Sequence, residues 1–221
     1  THARWTDKRI RAMGQSVAGE SNTSEQTPLK RRIIGLTGGI ATGKSTVSDY
    51  LANRYGLPVL DADVYARQAV AKGSEILGAI AHRYGSNVLH SDQTLNRAAL
   101  GKIIFNNSAE KKWVEQQIHP FVRARFKKDT DARPPDQTLV YSIPLLFEAN
   151  LTHLVTEIWV VFCAPNQQKQ RLMRRNQFSE SEACSRIAAQ MNLTEKCDRA
   201  DYLLNNAMSK KALFEQVDQL I

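Results

Sequence analysis

Gly38-Gly39-Ile40-Ala41-Thr42-Gly43-Lys44-Ser45 fits G-x-x-x-x-G-K-[ST], the phosphate-binding P-loop pattern. An apolar run, Ile33-Ile34-Gly35-Leu36-Thr37, stands directly before it, and residues 45–55 read as a helix directly after it. That is the strand–loop–helix setting in which the pattern has chemical meaning. Backbone N–H groups of such a loop wrap around phosphate oxygens, and the helix N-terminus behind them adds positive potential. In this arrangement Lys44 reaches the β- and γ-phosphates and the Ser45 hydroxyl ligates Mg²⁺. The motif by itself does not say where the γ-phosphate goes.

Working outward, Pro58-Val59-Leu60 reads as a short buried strand that ends at Asp61-Ala62-Asp63, with a helix over residues 64–71. Residues 74–128 are mostly helical in pattern. Ile76, Leu77, Ile80 and Ala81 share one face; Leu100, Ile103, Ile104 and Phe105 mark a second helix; Trp113, Ile118, Phe121, Val122 and Phe126 mark a third region. His119-Pro120 lies in that third region, where Pro120 suits the first position of a helix with His119 just before it. Strand character returns at residues 138–142 and, strongly, at 158–163. Pro165 opens a helix, a second is expected over 180–191, a short strand at 202–204 and a last helix over 209–220. Alternating helices and near-continuous apolar strands predict an α/β fold: three layers, α/β/α, around a parallel sheet. The helical stretch, about residues 74–130, then reads as an insertion between early strands.

Composition narrows the function classes. The 221 residues suit one α/β domain with an inserted subdomain. No apolar stretch is long enough for a membrane span and the first residues lack an apolar signal core, so the expected location is cytoplasmic, without a membrane partner. The formal charge is +8, but residues 1–32 carry seven Lys/Arg against three Asp/Glu, which is half of that excess. The rest forms no long basic stripe, which favours phosphate-rich small molecules over nucleic acid. Cys163, Cys184 and Cys197 are odd in number and form no C-x-x-C pair, against a disulfide framework or zinc site. Residues 1–31 read as a flexible, polar N-terminal extension.

Further candidates follow from chemistry. Ligands of parallel α/β sheets sit beyond the carboxyl ends of strands, where both the P-loop and Asp61-Ala62-Asp63 fall. A carboxylate there can orient Mg²⁺ or accept the proton of an acceptor hydroxyl; capping the next helix is the competing role for both. Arg67, four residues after Asp63 on the same helix face, can hold an anionic acceptor or pair with Asp63. Arg171, Arg174 and Arg175 form a cationic cluster able to meet a transferring phosphoryl group, with a solvated helix face as the alternative. His119 reads as structural or acceptor-binding rather than as an acid–base group, and Glu148 falls near the strand ends.

Taken in order, these segments resemble dephospho-CoA kinase. The resemblance rests on Ile34 through Thr46, Asp61-Ala62-Asp63 with Ala66-Arg67, Arg97-Ala98-Ala99-Leu100, Ile104-Phe105 and His119-Pro120. It continues through Pro144-Leu145-Leu146-Phe147-Glu148, Gln170-Arg171-Leu172, Arg186-Ile187-Ala188-Ala189-Gln190 and Ala200 through Asn206. It covers about residues 32–221. It implies a P-loop core, a helical acceptor-binding insertion and a helical lid over ATP at about residues 167–192. The implied reaction is phosphorylation of the ribose 3′-hydroxyl of dephospho-CoA by ATP with Mg²⁺, giving CoA and ADP in the last step of coenzyme A biosynthesis. Carried onto this chain, Gly38, Gly39, Ala41, Thr42, Gly43, Lys44, Ser45 and Thr46 bind the ATP phosphates, with Ser45 on the metal. The catalytic set is Asp63 as base, Lys44, and Arg171 as lid arginine; Asp61, Arg67 and His119 bear on the acceptor.

Two departures stand out. The family commonly has Gly where this chain has Ala41, a variable position of the general pattern that leaves phosphate binding intact. An Asp-Asn-x-Gly stretch is replaced by Asn205-Asn206-Ala207-Met208, so a different backbone turn is expected, since Ala tolerates positive φ poorly. Two other readings fit parts of the chain: a P-loop kinase acting on a nucleoside monophosphate or small alcohol, and a nucleotide-dependent switch or nucleic-acid remodeller. Asp61-Ala62-Asp63 with the helical insertion disfavours the first, and only the basic N-terminal segment supports the second.

Overall fold

The computed structural model describes residues 31–221 apart from Asn106, so the expected extension over 1–31 lies outside the described residues save for Arg31. Among the described residues the chain runs β1 (Ile33–Gly38), α1 (Lys44–Tyr55), β2 (Val59–Asp61), α2 (Ala62–Ala69), α3 (Glu75–Tyr84), α4 (Arg97–Phe105) and α5 (Ser108–Asp131). It continues through β3 (Leu139–Ser142), β4 (Glu157–Phe162), α6 (Pro165–Asn176), α7 (Glu180–Ala188), α8 (Leu193–Asp198), β5 (Tyr202–Asn205) and α9 (Lys210–Asp218). The described residues form two compact units: one is residues 31–59 together with Pro135–Ile221, the other Leu60–Pro134.

The first unit is organised by a sheet of order β2-β3-β1-β4-β5. β1 pairs in parallel with β3, Ile33 opposite Leu139, and with β4, Ile34 opposite Glu157; β4 pairs in parallel with β5, Trp159 opposite Tyr202. The alternation along β4 shows why helices cover both faces. Trp159 and Val161 point into a core with Ile34, Leu36, Val140 and Leu204, closed by Val47 and Leu51 of α1 and Leu213 and Val217 of α9. Val160 and Phe162 point the other way, into a core with Phe147, Ala200 and Cys197 of α8. The period-2 geometry of a strand therefore sends an all-apolar segment into two separate cores, the expected three-layer arrangement. Each fully buried large side chain there contributes roughly 1.5–3 kcal/mol. Among the described residues no helix is long and apolar enough to cross a membrane.

Local signals set the helix limits. α1 ends at Gly56, left-handed at φ 65, whose N–H bonds back to Ala52 and Leu51. The helix expected over 180–191 stops earlier. Asn192 takes up an N-cap position, its side chain accepting from Thr194 N at 2.8 Å, and so starts a separate helix, α8.

The second unit is helical and includes α2 as well as the segment read as an insertion. Tyr65 of α2 packs edge-on against Phe126 of α5 at 5.1 Å, and its phenol donates to Asp129 Oδ2 at 2.5 Å. Val70, Ile80, Val88, Leu100 and Val114 form this unit's core. Pro120 does not begin a helix, as the sequence suggested; it lies inside α5. The start of α5 is fixed earlier by Asn107, whose side chain accepts from Ala109 N and Glu110 N, both at 3.1 Å. An internal proline costs about 3 kcal/mol or more. Burial of Val114, Val122 and Phe126 on the continuous helix outweighs that, at roughly 1.5–3 kcal/mol each.

Candidate active site

β1 delivers the chain into the loop, and the loop's backbone is dictated by close approaches. A Cβ on Gly38 would stand 2.5 Å from Val161 O and 2.7 Å from Thr42 Oγ1. Gly43 sits at φ 103, and a Cβ there would fall 2.1 Å from Asn206 Nδ2. Thr42 is fully buried and ties the loop to itself, Oγ1 donating to Gly39 O at 2.8 Å. Lys44 opens α1, so its charge stands at the helix end that favours anions, and its Nζ donates to Oγ of the buried Ser142 at the end of β3. Ser45 follows on the exposed first turn. A loop of backbone donors, a lysine and a hydroxyl at one helix N-terminus is a polyphosphate-binding arrangement. Ala41 is not conformationally neutral: it is held left-handed at φ 60.

Three polar residues from distant segments bond to this loop and a fourth supports the strand end before it, and sequence reasoning assigned none of them these roles. Asn206, nearly buried at the end of β5, donates from Nδ2 to Thr42 O at 2.8 Å, and its own carbonyl accepts from Arg171 Nη2 at 3.0 Å. Gln168 Nε2 donates to Ile40 O at 2.9 Å, and Gln190 Oε1 accepts from Ile40 N at 2.8 Å. Lys196, completely buried, donates to Glu148 Oε1 at 2.8 Å and to Pro144 O at 3.0 Å; the same Pro144 carbonyl accepts from the Thr37 hydroxyl at 3.1 Å. Glu148 is thus the partner of a buried ammonium. Asn206 and Gln190 fall in segments that carry the family resemblance. Gln168 and Lys196 gave no signal. The Asn205–Met208 turn needs no positive φ: Asn205 Oδ1 accepts from Ala207 N at 2.9 Å, an Asx-turn in place of a glycine turn.

Arg171 is half-buried on α6, joined through Asn206 to the loop; its Nη1 is buried without a hydrogen-bond partner. Burial pushes the Cys163 thiol up, and the Arg171 charge pulls it back in part. Arg174 and Arg175 are exposed on the last turn of the same helix. Lys44, Ser45 and Arg171 therefore share the first unit, whereas Asp61, Asp63, Arg67 and His119 belong to the second. There Asp61 is the N-cap of α2, its Oδ1 accepting from Asp63 N at 2.8 Å and Val64 N at 3.3 Å. Asp63 is exposed on the first turn and Arg67 exposed on the last, one helical repeat apart on one face. His119 is half-buried in mid-α5.

The family model described as dephospho-CoA kinase matches residues 32–211. The chain belongs to the dephospho-CoA kinase family. It is 58% identical over 180 residues to the dephospho-CoA kinase of a Synechocystis species, covering 81% of this chain and 90% of that one. It is 54% identical over 190 residues to that of a Nostoc species, covering 86% and 96%. Among solved structures it is similar to the dephospho-CoA kinase from Campylobacter jejuni, at 25% identity and a TM-score of 0.56, covering 86% of this chain and 96% of that one. It is also similar to TT1252 from Thermus thermophilus, at 30% identity and a TM-score of 0.75 over the same shares. The chain is accordingly an enzyme, a kinase.

Proposed function

We propose that this kinase transfers the γ-phosphoryl group of ATP to the ribose 3′-hydroxyl of dephospho-CoA, releasing CoA and ADP in the last step of coenzyme A biosynthesis. The observation that carries the reading is the Gly38–Ser45 loop running into α1, within a chain that matches this family along residues 32–211. The backbone of residues 41–46 cradles the phosphates, and Lys44 neutralises charge on the β- and γ-oxygens. Ser45 offers a hard hydroxyl oxygen on an exposed turn beside that lysine, a donor that suits Mg²⁺ shared with phosphate. When bound, the ion supplies charge neutralisation on the phosphates.

Asp63 orients the acceptor hydroxyl and takes its proton. Asp61, with one oxygen engaged as a cap, holds the turn that presents Asp63, so its contribution on the acceptor side is positional. Arg67 and His119 serve the acceptor's anionic groups. Arg171, from the helix pair read as a lid, supplies positive charge to the transferring phosphoryl group. A loose, charge-spread transition state needs positioning and cations more than covalent chemistry, which this set of groups supplies. We place the reaction in the cytoplasm, in keeping with the free thiols of Cys163, Cys184 and Cys197. The test is incubation with ATP, Mg²⁺ and dephospho-CoA, followed by locating the new phosphate on the ribose. Turnover with AMP, CMP or shikimate but not with dephospho-CoA would overturn the assignment.

A further inference from the structure

We propose that Gln168 and Gln190 are positioning residues that hold the phosphate loop in its ATP-binding conformation, and that Ala41 makes this chain dependent on them. The inference deepens the kinase reading and rests on it for the identity of the ligand as ATP.

The geometry is specific. Ile40 is bonded on both sides of its α-carbon: its N–H donates to Gln190 Oε1 at 2.8 Å, and its carbonyl accepts from Gln168 Nε2 at 2.9 Å. The two contacts require opposite ends of the amide, so each partner fixes the glutamine orientation. The carbonyl that Gln168 holds belongs to the Ile40–Ala41 peptide. In a trans peptide the C=O and N–H point in opposite directions. Anchoring the Ile40 carbonyl therefore fixes the direction of the Ala41 N–H, one of the donors the loop offers to phosphate.

The same peptide sets the conformation of Ala41, which is at φ 60. A residue with a Cβ is strained there, whereas glycine is not. The strain and a neutral hydrogen bond are of similar size, so the clamp is what makes the left-handed state the stable one. Without it, rotation of the Ile40–Ala41 peptide relieves Ala41 and turns its N–H away from the ligand.

The clamp also joins the loop to the arginine-bearing helices. Gln168 lies on α6 one turn before Arg171, and Gln190 follows the end of α7. A second link runs from Arg171 Nη2 to Asn206 O and from Asn206 Nδ2 to Thr42 O. Two connections thus tie α6 to the loop, one to its Ile40 peptide and one to its Thr42 carbonyl. A shift of α6 is felt by the phosphate donors.

The experiment is a double-mutant cycle on the full chain: wild type, Gln168→Met, Ala41→Gly, and the two combined, with Gln190→Met as a further single variant. Methionine keeps length and shape but cannot bond to the peptide. The readouts are the calorimetric Kd for ATP, the KM for ATP and for dephospho-CoA, kcat, and Tm. Gln168→Met and Gln190→Met are expected to raise the Kd and KM for ATP about tenfold in the native background, at unchanged KM for dephospho-CoA. In the Ala41→Gly background Gln168→Met is expected to raise them about threefold or less. A merely structural glutamine would lower Tm equally in both backgrounds and leave ATP affinity unmoved; that result overturns the proposal. An equal loss of ATP affinity in both backgrounds overturns it as well. If all the variants bound ATP and none, wild type included, phosphorylated dephospho-CoA, the acceptor assignment would fall, while the pattern of ATP affinities would still decide the clamp.

Discussion

Lys196 and Glu148 form an ion pair whose two ends differ sharply in exposure, and that difference predicts unequal costs for removing them. The Lys196 side chain is 0% exposed and the Glu148 side chain 22%. In Lys196→Met the carboxylate keeps water and the Met191 N–H, bonded to it at 3.0 Å, and the Pro144 carbonyl keeps the Thr37 hydroxyl. Nothing charged is stranded in the interior, so the loss is about 1.5–3 kcal/mol, the scale of a hydrogen bond to a charged group. In Glu148→Leu the ammonium stays fully buried with one neutral carbonyl, Pro144 O, as its remaining bonded partner among these. Stranding such a charge costs about 3–5 kcal/mol. For a chain of this size those figures correspond to roughly 3–12 °C and roughly 6–20 °C in Tm. The combined variant removes both charges and is expected to regain much of the Glu148→Leu loss. Scanning calorimetry on the three variants reads this directly. If Lys196→Met proved as damaging as Glu148→Leu, or if the combined variant were no better than Glu148→Leu, the argument from unequal burial would be refuted.

Two further outcomes follow from other sites. Asp63→Asn is expected to keep ATP affinity and to lose about 10²–10⁴ in turnover, the usual range for removing a positioned general base; near-native kcat would take Asp63 out of that role. Glu110, gripped by Arg83 at 2.8 and 2.9 Å and by the Tyr84 phenol at 2.5 Å, has its carboxyl held down at about 2. A depressed carboxylate contributes its stability above its ordinary pKa and loses it as pH falls through the folded value. Wild type is therefore expected to exceed Glu110→Gln in Tm above about pH 5, with the gap closing as pH falls towards 2. A gap independent of pH would show that the link between α3 and α5 does not rest on the ionised group.

How far the sequence reveals this molecule depends on how local each signal is. The loop, α1 and the parallel strands were legible because their determinants are contiguous: a fixed motif, a glycine stop, and all-apolar strands. Asp61 as a cap was likewise visible as an Asp before a helix, and the structure gives it that role. Pro120 misled because its local preference for a first helical turn is outweighed by apolar residues on either side of it, a packing term that no short window contains. The braces of the loop lie further out of reach. Gln168, Gln190 and Asn206 bond to it across sequence separations of 128, 150 and 164 residues. Each is a polar residue of a common type, indistinguishable in sequence from one on a solvated helix face or in a turn. Lys196 stands between Glu195 and Cys197 in a segment whose polarity suggests exposure, yet its side chain is buried completely.

The same contrast bears on how the loop works. The P-loop motif specifies which residues line the phosphate cradle, but not what keeps that cradle in shape. At Ala41 the local preference of the backbone opposes the conformation the loop adopts, so the motif cannot be self-sufficient here. The side chains that bond to the loop sit just after β5, on α6 and just after α7; α6 carries Arg171, and Asn206 after β5 accepts from it. A loop that depended on its own glycines could bind phosphate wherever those helices stood. A loop held by them binds phosphate best when the arginine helix is in place. Under the proposed function, therefore, the order of the phosphate site and the position of Arg171 are two consequences of the same contacts.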